Sequence, residues 1–288
     1  MNIVIMTDEN SGISAKEAEE LGVKVLKMPV IIDGQEYFEG ENLSHEDFYE
    51  ALMSGKDITT SQPSPGDVMD MWDSILAAGT DQIVYIPMSS GLSSSCQNAL
   101  GYVDDYEGKV QVVDNHRISV TLRQSVLDGL FLAKSGKDAL EIKTILEEAA
   151  YDASIYITVD TLEFLVKSGR VTPSGAALGM ILNIKPILTI QGDKLDAFAK
   201  VRGIKKSEAK MIEAIREDLD TRFANVDKKY ISMAAVGSFL DEDDAKAWHE
   251  TVAAAFPEYD VIYDQLSLSI GSHIGPNSIA IAISEVIH

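Results

Sequence analysis

Seven consecutive residues, Ser89-Ser90-Gly91-Leu92-Ser93-Ser94-Ser95, carry five hydroxyls and one glycine. They follow the apolar run Ile83-Val84-Tyr85-Ile86 and lead into Cys96-Gln97-Asn98-Ala99-Leu100, the pattern of a buried strand, a loop and a helix. A loop at the carboxyl end of a parallel strand is the usual ligand position in an open α/β sheet. The unpaired N–H groups and partial positive charge of a helix start suit an anion. Hydroxyls without Lys or Arg suit a small anion held by hydrogen bonds, not a polyphosphate. Ordinary serine capping of a helix would use the same residues.

Two other polar stretches offer similar chemistry. Thr59-Thr60-Ser61-Gln62-Pro63-Ser64-Pro65-Gly66-Asp67 precedes a helix whose buried face is Val68, Met71, Trp72, Ile75 and Leu76. Gly271-Ser272-His273-Ile274-Gly275-Pro276-Asn277 reads as a loop between apolar strands, in which His273 can donate to an anion or orient another side chain. Arg170 follows a Ser-Gly turn, and Lys200-Val201-Arg202-Gly203-Ile204-Lys205-Lys206 is a basic cluster in an acidic chain. That cluster is either a solvated helix start or a docking patch for an acidic partner or a phosphate. Gly91-Leu92-Ser93-Ser94-Ser95 also approaches the G-x-S-x-G nucleophile elbow, with serine in place of the second glycine. A serine hydrolase or acyl-transfer enzyme using Ser93 and His273 is therefore the alternative reading. No P-loop or G-x-G-x-x-G is present, and the five histidines lack metal-ligand spacing, so neither a nucleotide cofactor nor a metal is expected.

The totals narrow the class. A chain of 288 residues accommodates two ordinary domains, and 45% hydrophobic residues allow a sizeable core. Twenty-four basic against 46 acidic residues give a net charge of −22, which repels nucleic acid and anionic membrane surfaces. An anionic ligand must therefore be drawn by local dipoles. The one cysteine, Cys96, excludes an internal disulfide and a multi-cysteine metal site. Met1-Asn2-Ile3-Val4-Ile5 enters a strand pattern directly, and no apolar run has the length of a membrane span, so a cytoplasmic protein without membrane insertion is expected.

The elements that position these residues follow from periodicity. Ile3–Met6, Val23–Leu26, Ile83–Ile86 and Val110–Val113 read as strands alternating with helices, a parallel sheet covered on both faces over 1–150, and Ser154–Val159 reads as a further strand. Asp33-Gly34 marks a hairpin, and Ser44 caps a helix over 46–53. Beyond residue 160 the pattern changes. A short helix at 162–166, a small-residue helix over 174–182, a hairpin turning at Gln191-Gly192-Asp193 and later strands at 230–236, 260–266 and 278–283 predict a mixed sheet. The expected architecture is two α/β domains, 1–158 with a parallel sheet and 159–288 with a mixed sheet.

Taken together, these motifs resemble the DegV family, whose members include the fatty-acid-binding (FakB-type) subunits of bacterial fatty acid kinase. The resemblance spans essentially the whole chain. It rests on Ile3-Val4-Ile5-Met6-Thr7-Asp8, Thr60-Ser61-Gln62-Pro63-Ser64, Ser90-Gly91-Leu92-Ser93, Leu162-Glu163-Phe164-Leu165 with Gly169-Arg170, Lys185-Pro186-Ile187-Leu188, Val201-Arg202 and Gly271-Ser272-His273-Ile274-Gly275-Pro276. Departures are Ser94-Ser95-Cys96 within Ser93–Gln97, where the family usually has Gly-Thr-Tyr, Asn115 for a common Ser, Ser168 for a common Gly, and Asn277 for a Gly. The resemblance implies a long-chain fatty acid buried between two α/β domains. It implies a carboxylate held by Thr60, Ser61, Ser93, Ser94 and His273, with Arg170 and Arg202 facing a partner. It further implies no catalysis by this chain and no cofactor: a separate kinase phosphorylates the presented carboxylate, and the acyl phosphate enters phospholipid synthesis. A carrier or sensor of another amphipathic acid, without a kinase partner, is the remaining alternative.

Overall fold

The computed structural model describes residues 2–178, 184–191 and 194–288. The chain divides into two compact units, Met1–Tyr151 with Ile287–His288, and Asp152–Val286. In the first, the order is β1 (Ile3–Asp8), α1 (Ala15–Leu21), β2 (Lys24–Leu26), β3 (Val30–Ile32), β4 (Gln35–Tyr37), α2 (His45–Met53), β5 (Ile58–Thr60), α3 (Pro65–Ala77), β6 (Gln82–Ile86), α4 (Ser95–Leu100), β7 (Val110–Val112), α5 (Ser119–Lys134) and α6 (Ala139–Glu148). Strands β2-β1-β6-β7 form a parallel sheet, and β4-β3-β5 form a small antiparallel one.

Both faces of the parallel sheet are covered. On one, Met6, Ile83 and Tyr85 of the strands pack with Val68, Trp72 and Ile75 of α3 and with Cys96 and Ala99 of α4. On the other, α5 approaches so closely that a Cβ at Gly129 would lie 3.2 Å from Ile86 Cδ1 and 3.5 Å from Ile5 Cδ1. Local signals agree with this arrangement. Ser44 accepts the Asp47 N–H at the start of α2, and Ser64 with Asp67 forms a full capping box with Pro65 in the first turn of α3. Asp33 (φ 50°) and Gly34 (φ 83°) both adopt the left-handed backbone that a two-residue hairpin requires.

The second unit runs β8 (Ala153–Thr158), α7 (Glu163–Ser168), α8 (Pro173–Ala176), β9 (Ile184–Ile190), β10 (Asp196–Arg202), α9 (Ile204–Asp220), β11 (Ile231–Ser238), α10 (Glu242–Ala255), β12 (Val261–Gln265), α11 (Leu268–Ile274) and β13 (Ser278–Glu285). Its strands form one mixed sheet in the order β10-β9-β8-β13-β11-β12, with β11 and β12 parallel and the other neighbours antiparallel. The core joins Met211, Ile215 and Phe223 to Trp248, Val252 and the inward residues of β11 and β13. Trp248 satisfies its indole N–H on the Ala280 carbonyl at 2.9 Å.

The structure modifies three sequence expectations. The division falls at 151/152 instead of 158/159, because β8 pairs with β9 and β13 and so belongs to the second sheet. The stretch around His273 is not a loop between strands: α11 occupies 268–274, capped by Ser267, which accepts the Ile270 N–H. The small-residue helix over 174–182 is present as Pro173–Ala176, while 179–182 lie outside the described residues, as do Gly192 and Asp193 of the expected hairpin turn.

Candidate functional site

In the first unit the strand order reverses between β1 and β6. The chain leaves β1 toward β2 on one side and reaches β7 from β6 on the other. The carboxyl ends of β1 and β6 therefore flank a topological switch point, where the following loops diverge. Asp8 ends β1 and is fully buried. Its carboxylate accepts the Met88 N–H at 2.8 Å, the Asn10 N–H at 2.9 Å and the Asn10 side-chain amide at 2.9 Å. Burial raises the Asp8 pKa, and the Met88 and Asn10 donors oppose that rise. The neighbouring Thr7 hydroxyl donates to the Ile86 carbonyl at 2.8 Å, so the end of β1 holds the chain where it enters the serine run.

The serine run is largely folded on itself. Leu92 and Ser93 N–H groups donate to the Ser89 carbonyl, Gly91 N–H to the Ser89 hydroxyl, Ser90 N–H to the Asp114 carboxylate and Ser95 N–H to the Ser93 hydroxyl. Helix α4 begins at Ser95 and has six residues. The expected contribution of free helix-start N–H groups and a long helix dipole is thus small. What the run offers an anion is hydroxyl protons: Ser93 is half-buried, accepts at Oγ and keeps its O–H to donate, and Ser94 is exposed.

Ser93 does not sit in a nucleophile elbow. Such an elbow is a strained turn, yet neither Ser93 nor its neighbours from 89 to 95 have positive φ. Cys96 is equally unsuited to nucleophilic attack, since burial and the nearby Asp114 carboxylate push its thiol pKa up.

Thr60 and Ser61 stand beside this run. Thr60 ends β5, paired with Val30 of β3, and Ser61 donates its N–H to the Pro29 carbonyl at 3.1 Å. Both are half-buried. The next residue, Gln62, accepts from the side-chain amide of Asn98 on α4 at 2.8 Å. That bond brings together the two hydroxyl-bearing segments, although 36 residues separate its ends.

His273 belongs to the second unit, in the last turn of α11. It is half-buried, and burial, together with the Arg170 guanidinium, holds its pKa down at about 4. At neutral pH the ring is uncharged and keeps one N–H donor. Helix α7 packs on α11, and the Phe164 ring lies where a side chain at Gly275 would stand, 2.5 Å from the position of its Cβ. Gly275 itself has φ 79°, and its carbonyl accepts the buried Ser238 hydroxyl at 2.7 Å. Asn277 takes a left-handed φ of 57° that asparagine tolerates better than most residues.

The two arginines expected to act together differ in setting. Arg170 is half-buried, donates to the Ser168 carbonyl and influences His273. Arg202 is exposed at the end of β10. Lys205, in the same cluster, pairs with Glu208 at 3.0 Å. Sequence reasoning assigned no role to Asp8, Gln62, Asn98 or Phe164. All four lie within motifs already noted, but their partners are remote in sequence. Among the described residues no His/Cys/Asp/Glu group could hold a metal ion, and no helix is long and apolar enough to cross a membrane.

A parallel-sheet unit with a switch point between β1 and β6, followed by a mixed-sheet unit, defines a two-unit α/β protein. The DegV family model matches residues 2–286, and the chain belongs to the DegV family. A DegV domain-containing protein from Deinococcus radiodurans is 31% identical over 287 residues, covering 99% of each chain. Among solved structures, a DegV family protein from Thermus thermophilus, described by its fatty acid binding, has a TM-score of 0.88 and 28% identity, covering 99% of this chain and 100% of that one. A fatty acid binding DegV family protein from Streptococcus agalactiae has a TM-score of 0.87 and 25% identity, with full coverage of both chains.

Proposed function

We propose that this protein binds a long-chain fatty acid in the cytoplasm and presents its carboxylate to a separate fatty acid kinase for acyl phosphate formation. Thr60, Ser61, Ser93, Ser94 and His273 are the proposed carboxylate-binding groups, and Arg170 and Arg202 the proposed contacts to the kinase. The observation that carries the reading is the 2.8 Å bond between Asn98 and Gln62, which holds the Thr60-Ser61 segment against the serine run at the switch point. The fatty acid binding described for relatives in Thermus thermophilus and Streptococcus agalactiae supports the same reading.

Magnitudes divide the labour between tail and head. About fourteen buried methylenes contribute roughly 11 kcal/mol gross, at about 0.8 kcal/mol each. Association and ordering costs remove part of this. A hydrogen bond to a charged carboxylate adds about 1.5–3 kcal/mol. The tail therefore supplies affinity, and the hydroxyls and imidazole set where the carboxylate oxygen stands for phosphoryl transfer. An uncharged His273 donates to the carboxylate without bringing an ionisable proton at neutral pH.

Mass spectrometry of lipid extracted from the denatured, freshly purified protein is expected to find about one fatty acid per chain. Adding ATP and a fatty acid kinase catalytic subunit is expected to convert it to the acyl phosphate. Absence of bound lipid together with no uptake of added oleate or palmitate overturns the binding reading. Bound lipid that no such kinase phosphorylates leaves a carrier without the presenting role.

A further inference from the structure

The serine run is fastened at both ends. At its start, Asp8 accepts the Met88 N–H at 2.8 Å. Beyond its end, the Asn98 side-chain amide donates to Gln62 at 2.8 Å. Each partner of the second bond is also tied, through its backbone, to the segment on its own side. The Gln62 carbonyl accepts the Ser61 hydroxyl at 3.0 Å, and Asn98 donates its N–H to the Ser94 carbonyl at 2.9 Å. Ser94 and Asn98 are one helical turn apart and share a face of α4. On the other side, Pro63, Pro65 and the Ser64–Asp67 capping box stiffen the path from Gln62 into α3. A shift at either residue is thus passed to its hydroxyl-bearing segment through short, directional bonds rather than absorbed by slack chain.

Resting on the fatty-acid reading above, we infer that the Gln62–Asn98 bond is a clasp that sets the spacing of the Thr60-Ser61 hydroxyls from those of Ser93-Ser94, and so confers selectivity for a carboxylate over a neutral head group. Gln62 and Asn98 are positioning residues and need not touch the ligand. Two neutral amides suit this role. A carboxylate at either position would place negative charge beside the anion, and a hydroxyl pair would be too short to span the gap. Both side chains are half-buried, so water can replace the bond when it is lost, and the spacing then relaxes without a large cost in stability.

The test compares myristate with tetradecanol, which share a chain length and differ in the head group. Affinities are measured by titration calorimetry on the full chain stripped of lipid, alongside thermal melting. The variants are Gln62→Met, Asn98→Leu, and the reciprocal pair Gln62→Asn with Asn98→Gln, which keeps an amide on each side and the same total reach. Wild-type protein is expected to prefer myristate. Each single variant should weaken myristate binding by about fivefold to tenfold, the scale of one net hydrogen bond, while tetradecanol binding and melting change little. The reciprocal pair should recover most of the preference. Unchanged preference in the single variants overturns the inference. So does equal loss for both ligands, which marks a merely structural role, and so does failure of the reciprocal pair to rescue while it remains folded. If wild-type protein itself binds both ligands equally, the carboxylate site falls, and the clasp with it.

Discussion

His273 illustrates how a single side chain is set by its surroundings. Burial first, and then the positive charge of Arg170, hold its pKa at about 4, below the ordinary value of 6.5. Between these values the unfolded chain binds the proton and the folded one does not, so this group's stabilisation is fully present above pH 6.5. It is lost as pH falls toward 4, with a slope of at most about 1.4 kcal/mol per pH unit. Urea titrations across that range are expected to show the slope in the wild type and its loss in His273→Gln. Arg170→Glu replaces a repelling charge with an attracting one, so the His273 pKa should rise, as followed by imidazole proton NMR. Ser93→Ala, Thr60→Ala and His273→Ala should each weaken fatty acid binding by about tenfold to a hundredfold, the scale of one charged hydrogen bond, and reduce kinase-coupled turnover more. Calorimetry and acyl phosphate assays on the same preparations check both effects. The hydroxyl-rich loop after β6 was legible in sequence as a loop, because an apolar run gives way there to five serines and a glycine. Asp8 and Asn98 were not legible as anchors, since their partners lie 80 and 36 residues away.

At the scale of elements, the close packing of α7 on α11 makes Gly275 sensitive. Gly275→Ala would set a Cβ 2.5 Å from the Phe164 ring, at a backbone φ of 79° that disfavours any side chain. The variant is expected to lose about 1–3 kcal/mol in denaturant unfolding. Phe164→Leu should relieve part of that loss in the double variant. Helices α2 and α3 were readable beforehand because each has a serine cap, an acidic residue three positions on and a long apolar face. Helix α11 was not. Its seven residues are too few to show a period, almost all are buried, and Gly271, Ser272 and the following Gly275-Pro276 carry the composition of a loop. Burial supplies what propensity withholds, and the Ser267 cap is the only local trace of it.

At the scale of the whole molecule, the two arginines are expected to separate. Arg202→Glu, at an exposed position, should lower kinase-dependent acyl phosphate formation on the order of tenfold or more and leave lipid content unchanged, because a rim charge acts mainly on encounter. A normal rate in that variant would reduce the Lys200–Lys206 cluster to solvated surface. The two-unit plan was legible from the change of pattern near residue 160, whereas the boundary depended on the pairing of β8, a long-range choice that a uniformly apolar strand does not announce. One consequence concerns synthesis. Strand β13, the last of the described strands, lies in the interior of its sheet, between β8 and β11. A ribosome delivers β8 and β11 well before the strand that separates them, and both hold open hydrogen-bonding edges until it emerges. The second unit can close only once β13 has emerged, so nascent chains carry those open edges, and their aggregation risk, until then.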